Sequence, residues 1–140
     1  MAHTLTNVLD AAERLSDRES ELVNFKTGVI TIPANISKTR HARQVHITEN
    51  LRAWLKVAPA PIIPKSFNRL AKQVRAHFKL SPDEARHSFI SFHVALHRSI
   101  GDVALQAGNS ETIVLRHYLN LHPREDGVAF FSIVPDLTAH

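Results

Sequence analysis

The stretch Ser81-Pro82-Asp83-Glu84-Ala85-Arg86-His87-Ser88-Phe89-Ile90 opens a helix and sets the character of the second half of the chain. Serine is a preferred helix N-cap, and a proline after it has its φ preset at a position where its missing N–H is not needed. A glutamate three residues beyond the serine completes a capping box. The spacing predicts a helix running to about His97. The same start signal recurs at Ser99-Ile100-Gly101-Asp102, for a short helix that ends at Gly108, and at Ser110-Glu111, for one that reaches about Leu119. His122-Pro123-Arg124-Glu125 begins a final helix carrying Val128, Phe130 and Phe131.

Upstream of Ser81 the pattern changes. Phe67, Leu70, Ala71, Val74 and Phe78 recur at three and four residues and predict an amphipathic helix over about 65–79. Before it, Ala58-Pro59-Ala60-Pro61 and Pro64 form a stiff connector that stops a helix begun at Thr48 and carrying Leu51, Trp54 and Leu55. Gly28-Val29-Ile30-Thr31-Ile32-Pro33 is rich in β-branched residues, and Arg43-Gln44-Val45-His46-Ile47 alternates polar and apolar side chains. These two read as strands joined by the basic connection 34–41. From Leu5 to Val23 apolar and charged residues alternate at helical spacing, broken near Ser16-Asp17. The expectation is a weakly ordered or marginally helical segment 1–24, followed by one α+β, mainly α, domain over 25–140 with a small antiparallel β-hairpin.

The chain has 140 residues, room for one domain with a moderate core. It has no cysteine, which excludes disulfides and thiolate metal sites, and its formal charge of +4, with ten histidines besides, favours an anionic partner. No apolar run approaches the roughly 18–20 residues of a membrane span, and the N-terminus lacks the basic start and apolar stretch of a signal peptide. The expectation is a cytoplasmic protein with no membrane partner.

Arg86-His87-Ser88-Phe89, then Ala107-Gly108-Asn109, then Arg116-His117-Tyr118 resembles the second conserved box of the tyrosine recombinases, or phage integrases, encoded by mobile elements. There an arginine-histidine pair is followed by a glycine, a polar residue and, nine residues on, a nucleophilic tyrosine; Asn109 and Tyr118 have that interval. Gly28 to Ile47 resembles the family's β-hairpin, and Ser37-Lys38-Thr39 its lysine-bearing turn. The likeness covers roughly residues 24–133, the C-terminal part of the catalytic domain.

The resemblance implies DNA integration and recombination through a 3′-phosphotyrosine intermediate. Tyr118 would attack a phosphodiester, and Arg86 would hold two phosphate oxygens with its planar fork of donors. Asn109 would hydrogen-bond the phosphate, and Lys38 would protonate the leaving sugar oxygen. Lys38, Arg40, Arg43, Arg86 and Arg116 would contact double-stranded DNA, with no cofactor and no metal. His87, next to Arg86, would be a packing residue or one that supports the residues meeting the phosphate. In the family the last helix docks on a neighbouring protomer, so a homo-oligomer on DNA is implied, with Phe130 and Phe131 at the contact.

Three features depart from the family. Asp83 stands three residues before Arg86 where a histidine or lysine is usual, and Asn109 replaces a histidine or tryptophan. Arg18-Glu19-Ser20-Glu21-Leu22 resembles the first arginine box but lies only ten residues before Gly28. These departures imply a truncated or inactive recombinase.

Other readings compete. Asp102 to Arg116 also resembles a helix-turn-helix, with Ser110, Glu111, Thr112 and Arg116 facing a major groove in a non-catalytic regulator. A non-catalytic oligomerisation fragment is a third. Arg86 has a plainer role as an ion-pair partner of Asp83 at i, i+3. His93 and His97, at i, i+4, have the spacing of zinc ligands but lack the glutamate of a metalloprotease helix, so packing between helices is the expectation for them.

Overall fold

The computed structural model describes residues 22–35, 37, 40–59 and 61–138. Strands β1 (Val23–Asn24), β2 (Val29–Ile32) and β3 (Arg43–His46) form an antiparallel sheet in that order, with Val23 opposite Ile30 and Ile30 opposite Val45. β2 and β3 are the hairpin expected from the β-branched run and the alternating one. β1 is an addition: the helix expected to reach Val23 is followed by a strand at Val23, with Leu22 helical and residues 5–21 of that span outside the described residues. The β1–β2 turn is held by Asn24, whose Oδ1 accepts from the backbone N–H of Lys26 and of Thr27, each at 3.0 Å. Phe25 and Ile47 are buried beneath the sheet, with Val23, Ile30, Leu51 and Leu55 packed on them.

Among the described residues six helices follow: α1 (Glu49–Val57), α2 (Phe67–Phe78), α3 (Glu84–His97), α4 (Ile100–Ala107), α5 (Glu111–Tyr118) and α6 (Arg124–Phe131). The main core lies where α3, α4 and α5 meet. Ile90, Val94, Val103 and Val114 are fully buried there, joined by Ala104, Ala107 and Tyr118. Burying each large aliphatic side chain contributes about 1.5–3 kcal/mol. The sheet is tied to this core by Gln106 of α4, whose Oε1 accepts from the His46 backbone N–H at 3.0 Å.

The closest pairing of helices is α3 with α6. Gly127 makes it: a Cβ there would lie 2.8 Å from the Phe92 carbonyl oxygen and 2.9 Å from the Leu96 nitrogen. Phe130 stacks on Phe92 at 4.6 Å, and Phe131 meets Phe89 edge-on at 6.2 Å. The two phenylalanines expected at a contact between protomers thus pack within their own chain.

Three expected caps differ in detail, Ser99 among them, which precedes α4 without a side-chain cap bond. α3 starts at Glu84 with Asp83 as its N-cap residue, two residues later than the capping box predicts, and the Ser81 hydroxyl donates instead to the Glu84 carboxylate at 2.8 Å. Thr48 precedes α1 without capping it, its hydroxyl donating to Asn50 Oδ1 at 2.6 Å. A serine or threonine hydroxyl chooses among nearby acceptors, so the sequence signal locates the turn better than the bond. Among the described residues no helix is long and apolar enough to cross a membrane.

Candidate active site

Three short-range devices bring distant residues together. The N-terminal turn of α3 carries Asp83, Arg86 and His87 on its open side, all exposed. Gly108 ends α4 in the left-handed conformation at φ +71°, and the Asn109 N–H closes the turn on the Ala104 carbonyl at 2.9 Å. That reversal sets Asn109 at the mouth of the α4–α5 turn. The Ser110 hydroxyl then caps α5 by accepting from the Ile113 N–H at 3.3 Å. Two turns on, α5 delivers Tyr118 into the core, where the residue is only 6% exposed.

The result is a pocket of about 520 Å³. Asp83, Arg86, His87, Asn109, His117 and Tyr118 line it. Tyr118 Oη and His87 Nδ1 are hydrogen-bonded, and the two rings stack at 5.7 Å with an interplanar angle of 26°. With a neutral imidazole the phenol donates and Nδ1 accepts. The α3 turn is reinforced by Ser91, whose hydroxyl donates to the His87 carbonyl at 2.8 Å. Burial raises the Tyr118 pKa above its ordinary value, the Arg86 guanidinium acts against that rise, and the Asp83 carboxylate adds to it. Tyr118 is therefore a neutral phenol at rest. The pocket holds one charge that favours its ionisation and one that opposes it.

Tyr118, Arg86 and Asn109 thus line one pocket. Lys38 lies outside the described residues. Arg40 is exposed at φ +55°, and Arg116 is exposed on α5; neither lines the pocket. Arg43 is half-buried in β3 and donates from Nη1 to Ser37 Oγ at 3.2 Å, so it is part of the packed structure and not of a free basic face. Arg86 forms no ion pair with Asp83 among the described residues.

His87, expected from the sequence to pack or to support the residues that meet the phosphate, is exposed and bonded directly to the tyrosine hydroxyl. Asp83, His87 and Ser91 recur at four residues and share one helix face, which groups His87 with Asp83 but does not identify Tyr118 as its partner.

His93 packs between helices, while His97 is exposed at the edge, its ring 4.6 Å from that of His93 and 6.2 Å from that of Phe131. His93 is buried, with Nε2 3.2 Å from Asp102 Oδ2 and Nδ1 without a hydrogen-bond partner. A neutral imidazole with its proton on Nε2 fits both contacts. Burial lowers its pKa, with nearby His97 and His46 acting in the same direction and Asp102 against. Among the described residues no group of three or more histidines, aspartates or glutamates is placed to hold a metal ion.

No protein-family model, no curated protein and no solved structure matches this chain.

Proposed function

We propose that the chain is a DNA-binding domain of tyrosine-recombinase type whose pocket cleaves and rejoins a DNA strand. The observation that carries the reading is the hydrogen bond between Tyr118 and His87 in a pocket that also holds Arg86 and Asn109. In this reading Tyr118 Oη attacks the phosphorus of a phosphodiester. The new O–P bond replaces the bond from phosphorus to the departing sugar oxygen, so no external energy source is needed. Arg86 and Asn109 neutralise and orient the phosphate oxygens.

The magnitude of the proton problem gives His87 its role. Ionising an ordinary phenol of pKa near 10 at pH 7 costs roughly 4 kcal/mol, and burial of Tyr118 makes it harder. A base already hydrogen-bonded to the phenol removes the proton as the bond to phosphorus forms, an effect generally of about 10²–10⁴ in rate. His87 Nδ1 occupies that position. The proton for the departing sugar oxygen is the task of Lys38 in this reading.

The test is formation of a covalent protein–DNA adduct on nicked duplexes that trap the cleaved strand. Tyr118→Phe is expected to abolish the adduct. His87→Gln should slow it by about 10²–10⁴, and Arg86→Ala by about 10²–10³. Adduct surviving at full rate in Tyr118→Phe would sink the assignment.

A second reading rests on the α4–α5 pair, two helices packed across the Gly108 turn with Thr112 and Arg116 exposed on α5. As a helix-turn-helix it predicts sequence-specific duplex binding that Thr112→Ala weakens and Tyr118→Phe leaves intact.

A further inference from the structure

A second cavity, of about 500 Å³, lies between β3, α1, α3, α4 and α6. Strand transfer makes no use of it. Trp54, Phe89, Phe130 and Phe131 supply aromatic walls, while Arg43 and Arg86 supply its charge; among the described residues no aspartate or glutamate lines it. Arg86 lines this cavity and the tyrosine pocket alike.

Arg43 is fixed in place. It donates to Ser37, and its guanidinium lies so close over Gly108 that a Cβ there would come within 2.9 Å of Nη1. Among the described residues its Nε is buried without a hydrogen-bond partner, and neither Arg43 nor Arg86 forms an ion pair. A half-buried guanidinium without a counter-charge is costly to maintain and calls for a partner. Ligand pockets are typically about 300–1,000 Å³, mostly apolar, with a few convergent polar groups. The cavity has that make-up. Aromatic walls suit a planar ring, and guanidinium groups suit a carboxylate or phosphate.

We propose that this cavity binds a planar aromatic anion, its ring among Trp54, Phe89 and Phe131 and its charged group at Arg43 and Arg86. Two sources share that chemistry: a free small molecule, and an unstacked nucleotide of a DNA strand whose neighbouring phosphate lies in the tyrosine pocket. The second source rests on the strand-transfer reading; the first does not.

The experiment is calorimetric titration of the full chain with 2-naphthoate and with its neutral counterpart, 2-naphthalenemethanol. Naphthoate should bind at one site, at least about tenfold more tightly than the alcohol, the usual difference for a charge-assisted hydrogen bond. Arg43→Gln should erase that difference. Ala85→Phe, at an exposed position that lines the cavity, should fill it and abolish binding of both compounds; it keeps the test valid should Arg43→Gln fail to fold. Equal affinity for acid and alcohol, no binding of the acid, or unchanged binding in Ala85→Phe would each overturn the proposal. A duplex with an unpaired base beside a nick distinguishes the sources. Binding tighter than to the paired duplex, lost in Ala85→Phe, assigns the cavity to DNA; equal binding of the two duplexes, with naphthoate still bound, assigns it to a free ligand whatever the fate of the strand-transfer reading.

Discussion

Helices α2 and α3 have similar lengths, 12 and 14 residues, and opposite fates. α2 separates apolar from charged residues onto opposite faces, yet buries nothing: Phe67, Leu70, Val74 and Phe78 are all exposed. α3 is the less sharply divided helix, and it buries Ile90, Ser91, His93, Val94 and Ala95. Amphipathic spacing establishes that a helix has an apolar face; burial depends on what reaches that face. α3 is met by α4, α5 and α6, so apolar residues on several of its sides find cover.

The contrast can be broken at its strongest point. Ile90→Ala in α3 should destabilise the fold by about 2–5 kcal/mol, the usual range for a fully buried aliphatic side chain, read by chemical denaturation. Next, Gly127→Ala should cost about 1–3 kcal/mol, because the new methyl meets Phe92 and Leu96 backbone that cannot move freely. Loss of the Phe92–Phe130 contact by NMR would locate the damage at the α3–α6 seam.

A pH effect sharpens the comparison, because α3 buries an ionisable group. The His93 pKa is lowered in the folded state, so below about pH 6.5, the ordinary histidine value, the unfolded chain takes up a proton that the folded chain resists. Stability should therefore be level above that pH and fall below it, by at most about 1.4 kcal/mol per pH unit from this group. His93→Gln should flatten that part of the profile. An unchanged acid limb in the variant would remove His93 as its cause. The smallest effect belongs to α2: Phe78→Ala should change stability by no more than about 0.5 kcal/mol, as for an exposed site. A loss near that of Ile90→Ala would show that the face is covered.

The sequence makes the helical half legible because its punctuation is local. Ser99, Gly108, Ser110 and Pro123 each act within a turn of their own position, and the elements they mark lie within a residue or two of expectation. β1 has only two residues, too short for an alternating pattern to register. The tyrosine pocket is legible in part for the same reason. The Asn109-to-Tyr118 interval depends on one turn and one helix. The bond from Tyr118 to His87, 31 residues apart, depends on how α5 packs across α3, which no local spacing encodes. The packing of Arg43 is hidden for a related reason: its contact with Ser37 and its close approach to Gly108 depend on how the sheet meets the helical body.

The central claim is that Tyr118 is a nucleophile aimed at a phosphodiester. Its most direct test is to digest the protein–DNA adduct formed on a nicked duplex and map the linked peptide by mass spectrometry. The account predicts a single DNA-bearing peptide containing Tyr118, the only tyrosine in the chain, with the phosphate on its side-chain oxygen. A wild-type chain that binds the duplex yet forms no adduct, or an adduct mapped to another residue, would contradict it.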